Sequence, residues 1–192
     1  MIQIAIFASG SGTNAENIVQ HLDKQEFVCV SRVYYNRKEA GVVQRMKPLH
    51  IPCTYVKNSE FRSGEILKDL NKKNIDFIVL AGFLVKIPQE LILAYPNKII
   101  NIHPSLLPKY GGKGMYGSYV HDAVKASGDV KTGITIHLVN EEYDKGAILF
   151  QAETEVSDKD SVEDIAKKVH QLEYDHFPDV LERYFKEYGQ EV

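Results

Sequence analysis

The chain has only two cysteines in 192 residues, Cys29 and Cys53, each set among apolar neighbours. That count excludes a disulfide framework, and the apolar settings predict buried, reduced thiols of the kind cytoplasmic proteins carry. No apolar run approaches the ~18 residues of a membrane span. The opening "MIQIAIFASG" is strand-like and lacks the charged start and long apolar core of a targeting segment, so the expectation is a soluble cytoplasmic protein, not a membrane protein. Neither sign of charge dominates: 23 basic and 26 acidic residues leave a net charge of −3, with no basic block. A nucleic-acid partner is therefore not expected, because binding a phosphate backbone needs a clustered positive face. Metal-ligand spacing is missing as well: His121 and His137 are distant from His103, and no HxH or HxxxH occurs. No bound metal is expected.

What is present is an ordinary globular composition, 44% hydrophobic and 26% charged, enough for a full-sized core in a single domain over residues 1–192. Strand-like and helix-like segments alternate. Ile2–Ala8 is a short apolar run closed by "SGSG", and Thr13–Leu22 places Ala15, Ile18, Val19 and Leu22 on one helical face. A strand over Phe27–Tyr34, a helix around Glu39–Lys47, a short strand at Cys53–Val56 and a helix over Phe61–Lys73 follow. Asp76–Leu80 is an unbroken apolar strand of the kind buried on both faces. A helix near Pro88–Tyr95, a strand at Lys98–Ile102, a helix over Tyr116–Ala126, strands at Thr132–Val139 and Ala147–Glu155, and a long helix starting at Ser161 and reaching Tyr188 complete the pattern. Such alternation predicts an α/β fold with a mostly parallel, doubly wound sheet flanked by helices.

In sheets of that kind ligands sit outside the carboxyl ends of the strands. Three predicted strand ends carry unusual polar sequences. In "SGSGTNA", Gly10-x-Gly12-x-x-Ala15 matches the loose dinucleotide fingerprint, and Thr13 and Asn14 add side-chain donors at a helix start. No lysine follows the glycines, so this is not a P-loop. The second strand ends "YYNRKE", with Asn36 and Arg37 where a dinucleotide site would place an acid, so a single phosphate fits better than NAD. At the second end, Ala81 and Gly82 of "LAGFLVKI" allow a backbone or flat ring to approach; simple strand-to-helix packing is the alternative. The third is "NIHPSLLPKY". Asn101 and His103 stand two apart and share a face if the strand persists, and an amide beside an imidazole suits an oxyanion at an acyl carbon. A hydrogen-bonded structural histidine is the competing reading. Pro104 and Pro108 stiffen the turn, and Leu107-Pro108 is expected to be cis. Downstream, "NEEYDKG" sets Asp144 at the rim between two strands, where a carboxylate near His103 would favour the charged imidazole.

Taken together, Asn101-x-His103-Pro-Ser-Leu-Leu-Pro, the preceding Leu80-Ala-Gly-Phe83, the N-terminal Gly-x-Gly-Thr-Asn loop and the later Asp144 resemble the phosphoribosylglycinamide formyltransferase family, along nearly the whole chain to "LEYDHFP". The resemblance implies a Rossmann-like fold and transfer of a formyl group from 10-formyltetrahydrofolate, a co-substrate, to the amine of glycinamide ribonucleotide in purine synthesis. It assigns catalysis to Asn101, His103 and Asp144, and the phosphoribosyl group to Gly12, Thr13, Asn14 and Glu173. The folate falls to Arg62, Leu84, Val85, Lys86, Ile87 and Asn101. It implies small-molecule substrates, and a monomer or homodimer. The chain departs from the family at "GGKGMYG" (Gly111–Gly117), which lacks a loop histidine, and at Arg62, whose spacing is shortened. His170 likewise stands where members carry other polar residues. A methionyl-tRNA formyltransferase, disfavoured because no basic tRNA-binding module is expected, and a formyltetrahydrofolate deformylase, which uses water in place of the amine, are the nearest alternatives; an NAD-linked oxidoreductase and a non-catalytic folate or ribotide binder are the others.

Overall fold

Strands and helices alternate through residues 1–190, the part of the chain described by the computed structural model. Their order is β1 (Ile2–Ala8), α1 (Thr13–Leu22), β2 (Val28–Tyr35), α2 (Val42–Met46), β3 (Cys53–Tyr55), α3 (Asn58–Arg62), α4 (Ile66–Lys72), β4 (Phe77–Leu80), α5 (Gln89–Ala94), β5 (Ile99–His103), α6 (Ser118–Ser127), β6 (Lys131–Leu138), β7 (Ile148–Glu155) and α7 (Val162–Gln190). The strands hydrogen-bond in the order β3-β2-β1-β4-β5-β6-β7. Pairs β1–β2, β1–β4 and β2–β3 are parallel, whereas β6–β7 is antiparallel. This is the mostly parallel, doubly wound arrangement that the alternating pattern predicts.

Two compact units divide the chain: Met1–Ile100 with the chain from Leu181 on, and Asn101–Val180. In the first, β1 is fully buried from Ile4 to Phe7, and every residue of β4 is buried, which explains their uninterrupted apolar sequences. Strand order reverses at β1–β4, where Phe7 lies opposite Leu80. The parallel pairing brings the Gly10–Asn14 loop and the Gly82–Ile87 segment out at the same sheet edge, a place where such sheets bind ligands. The Ser9 N–H donates to the Gly82 carbonyl (3.1 Å), and the Leu84 N–H donates to the Ser9 hydroxyl (3.0 Å). Phe77 packs against Phe185 and Tyr188 of α7, each ring 4.9 Å away.

In the second unit, β6 and β7 pair from Lys131↔Glu155 to His137↔Ile148 with a register shift after Ile136. Gly133 is required there, because a Cβ would lie 1.9 Å from the Ala152 carbonyl oxygen.

Several expectations need correction. Cys29 is exposed and Cys53 half-buried, because the two-residue period of β2 turns Val28 and Val30 inward and Cys29 outward. The helix expected over Phe61–Lys73 is two helices, α3 and α4, separated at Gly64, whose φ of +72° no helix continues through. The helix expected around Glu39–Lys47 shortens to α2, and β5 runs one residue further than expected, to His103.

Candidate active site

The extra residue of β5 puts Asn101 and His103 on one face, Asn101 half-buried and His103 only 4% exposed. The turn after them is pinned by one hydroxyl. Thr135 Oγ1 on β6 donates to the Ser105 carbonyl (2.7 Å), and it accepts from the Leu107 N–H (3.0 Å) and from Gln151 Nε2 on β7 (2.8 Å). Leu107–Pro108 is cis, as expected. Tyr110 then takes a left-handed backbone (φ 54°) and turns its carbonyl towards His103, whose Nε2–H donates to it at 2.8 Å. With Nε2 committed to a carbonyl, Nδ1 is the nitrogen left to gain and lose a proton.

That nitrogen faces Asp144. Asp144 also adopts a left-handed backbone, φ 55°, and its two oxygens have separate tasks. Oδ2 accepts the Gly112 N–H at 2.8 Å, tying the glycine-rich loop to the carboxylate. Oδ1 lies 3.7 Å from His103 Nδ1 and 3.7 Å from His137 Nε2. The side chains are 5%, 13% and 3% exposed for His103, Asp144 and His137, so the charge interactions are little screened by water. His137 closes the group: its Nε2 is 3.0 Å from Asn101 Nδ2, and its Nδ1 is 2.8 Å from the Leu138 carbonyl. Burial pushes the His137 pKa below the ordinary histidine value; the Leu138 bond and the Asp144 charge oppose that, and His103 adds to it. An amide donor, an imidazole nitrogen and a half-buried carboxylate thus converge, which is chemistry suited to acyl transfer through a tetrahedral oxyanion.

The other sequence-predicted residues are placed as follows. In the first unit Gly12 (φ +80°) caps α1, and a Cβ there would lie 2.5 Å from Val42 Cβ, so the turn tolerates glycine alone. Arg45 Nε donates to the Ser11 carbonyl (3.1 Å) and its guanidinium pairs with Glu16, holding the loop that carries Thr13 and Asn14. Leu84 and Lys86 are exposed, Val85 half-buried and Ile87 buried; Arg62 is exposed on α3. In the second unit Glu173 is 5% exposed on α7 and accepts from His170 Nδ1 at 2.9 Å. His121, 3% exposed on α6, has its ring 6.3 Å from that of His170. Among the described residues no cluster of His, Cys, Asp and Glu could hold a metal ion, and no helix is long and apolar enough to cross a membrane.

The sequence model of the formyl transferase family matches residues 2–181. The chain belongs to that family. A phosphoribosylglycinamide formyltransferase of Bacillus subtilis (strain 168) is 34% identical over 190 residues, covering 95% of this chain and 94% of its own length. The chloroplastic phosphoribosylglycinamide formyltransferase of Arabidopsis thaliana is 38% identical over 186 residues; they cover 93% of this chain but only 64% of the plant protein. A solved phosphoribosylglycinamide formyltransferase structure from Bacillus halodurans matches with a TM-score of 0.86 at 33% identity, covering 95% of this chain and 94% of that one.

His137 is weighed in the sequence analysis only as a metal ligand. A signal was available. Thr135 and His137 alternate with apolar residues from Ile134 to Leu138, and two polar side chains facing one way from a buried strand mark a place where polar partners must exist. The Tyr110 carbonyl could not have been foreseen, since it depends on a backbone angle rather than a side chain.

Proposed function

We propose that the chain transfers the formyl group of 10-formyltetrahydrofolate to the amine of glycinamide ribonucleotide, a step of purine biosynthesis, and that residues 1–192 act as one catalytic domain on these small molecules, in the cytoplasm, as a monomer or homodimer. The observation that carries this reading is the convergence of Asn101, His103 and Asp144, with Asp144 Oδ1 3.7 Å from His103 Nδ1. It is supported by the activity for which the relatives are named, including the Bacillus subtilis protein matched over 94% of its length.

The ribotide amine attacks the formyl carbon, forming a C–N bond and a tetrahedral oxyanion. Asn101 and the protonated His103 donate hydrogen bonds to that oxygen, while Asp144 balances the imidazolium. As the oxyanion collapses, the bond from carbon to the folate nitrogen breaks. The amine's surplus proton passes, through His103 and Asp144, to that leaving nitrogen, so no net charge remains. Gly12, Thr13 and Asn14 hold the ribotide phosphate at the start of α1, and Glu173 serves the phosphoribosyl group. Leu84, Val85, Lys86 and Ile87 form the bed for the folate, with Arg62 towards its carboxylates.

The test is an absorbance assay for tetrahydrofolate. Product formation that requires added glycinamide ribonucleotide supports the transferase. Release of formate at the same rate without the ribotide would replace this reading with the hydrolase.

A further inference from the structure

We infer that His137 is a positioning residue: held as one tautomer by the Leu138 carbonyl, it dictates which way the Asn101 amide faces. The kinetic part of this inference rests on the transferase reading above; the tautomer itself does not.

The logic starts from a backbone atom. The Leu138 carbonyl oxygen lies 2.8 Å from His137 Nδ1, and a carbonyl only accepts, so Nδ1 must carry the proton. In the neutral ring Nε2 is then a bare lone pair. Its neighbour at 3.0 Å must be a donor, and of the two ends of the Asn101 amide only Nδ2 can donate. Rotating the amide by half a turn would set its oxygen against that lone pair. One backbone carbonyl therefore selects a tautomer, and the tautomer selects an amide orientation. The second N–H of Asn101 is left for the reacting oxygen. The carbonyl itself keeps its place because residue 146 is glycine; a Cβ there would stand 1.7 Å from the Leu138 oxygen.

Protonation of His137 would undo this. With both nitrogens carrying hydrogen, Nε2 would repel Asn101 Nδ2 and draw the amide oxygen in its stead, moving the donor away from the oxyanion. Three side chains face the ring: Asn101 from β5, His103 from the same strand, and Asp144, whose Oδ1 is 3.7 Å from Nε2. Asp144 favours a charged His137, and burial together with His103 disfavours it. Oδ1 is 3.7 Å from both rings, and its carboxylate carries one negative charge, which balances one imidazolium. For catalysis that imidazolium has to be His103: its Nε2 is held by the Tyr110 carbonyl, and its Nδ1 is the donor left for the oxyanion.

The first arm of the test is NMR of the full chain labelled with ¹⁵N-histidine at neutral pH, with His137 assigned by the signal missing from His137→Gln. The expected result is a protonated Nδ1 and an unprotonated Nε2. An Nε2–H tautomer, or a doubly protonated ring, overturns the inference whatever the chain catalyses. The second arm is kinetic. His137→Phe should lower kcat by about 10²-fold, the scale of losing one oxyanion donor, with both KM values little changed. His137→Gln offers an oxygen to Asn101 and an N–H to Leu138; it should recover at least about tenfold of that loss. It should also abolish the part of the acid-side fall in kcat that comes from His137. A glutamine variant with the parent's urea midpoint, but no better than phenylalanine, overturns the inference. A parent protein that never forms tetrahydrofolate refutes the transferase reading instead, and the NMR arm still decides the tautomer.

Discussion

Asp144 holds a backbone conformation that costs an ordinary L-residue about 1–2 kcal/mol and that Asp and Asn tolerate best. The conformation turns one oxygen to the Gly112 N–H and the other to the two imidazoles. Asp144→Asn keeps a group able to accept from Gly112 but removes the charge, so it separates the two tasks. Turnover should fall by about 10²-fold or more, while the urea midpoint moves little. A variant with the parent's turnover would show that the carboxylate only anchors the loop. Asn101→Ala removes an oxyanion donor and should cost about 2.7–4 kcal/mol in the barrier, or 10²–10³ in rate, with modest change in substrate affinity. Steady-state kinetics that show KM rising while kcat holds would contradict that role.

At the level of elements, the hairpin of β6 and β7 carries His137, Thr135 and the Asp144 loop, and two glycines permit its close pairing. Gly146→Ala would drive the Leu138 carbonyl out of place, so activity should drop together with the His137 Nδ1–H signal. Gly133→Ala sets a methyl group against the Ala152 carbonyl in the middle of the ladder; loss of stability should reach or exceed about 1–3 kcal/mol, measured as a lower urea midpoint. In the other unit, the end of α7 is held by its aromatic face rather than by propensity. Phe185 is fully buried against Phe77, and Phe185→Ala should cost about 3–5 kcal/mol by the same measurement. A loss under 1 kcal/mol would mean the end of α7 contributes little.

For the molecule as a whole, three histidines, His121 and His137 buried and His170 exposed, shape the pH dependence of stability around neutrality. His121 and His137 have pKa values lowered chiefly by burial, from 6.5. The unfolded chain binds their protons first, so the folded state loses stability as pH falls below 6.5 towards their folded values. His170 is shifted up, first by its bond to Glu173. Its contribution is complete below 6.5 and is lost as pH rises through the folded value. The unfolding free energy should therefore peak close to neutral pH and decline on both sides, and His170→Gln should flatten the alkaline decline. A steady rise in parent stability from pH 6 to pH 8 would remove the His170–Glu173 pair from this account. At much higher pH, Tyr95, pushed up to about 12 by burial, stays neutral in the folded state after its unfolded counterpart ionises, which again favours unfolding.

The alternating pattern, the glycine turn before α1, the unbroken β4 and the Asn101–His103 pair were all legible in the sequence, because each depends on residues a few positions apart: a period, a cap, a stiff turn. Asp144 was legible as a rim carboxylate for the same local reason. The sequence could not place the partners. Asn101 meets His137 across 36 positions, and Asp144 meets Gly112 across 32. Such pairings follow from strand order, register and the face to which each side chain turns. The break at Gly64 and the outward Cys29 depended on the same surroundings. Local chemistry determined which groups the chain could offer; only the folded sheet decided which nitrogen faces which oxygen, and therefore which proton can move.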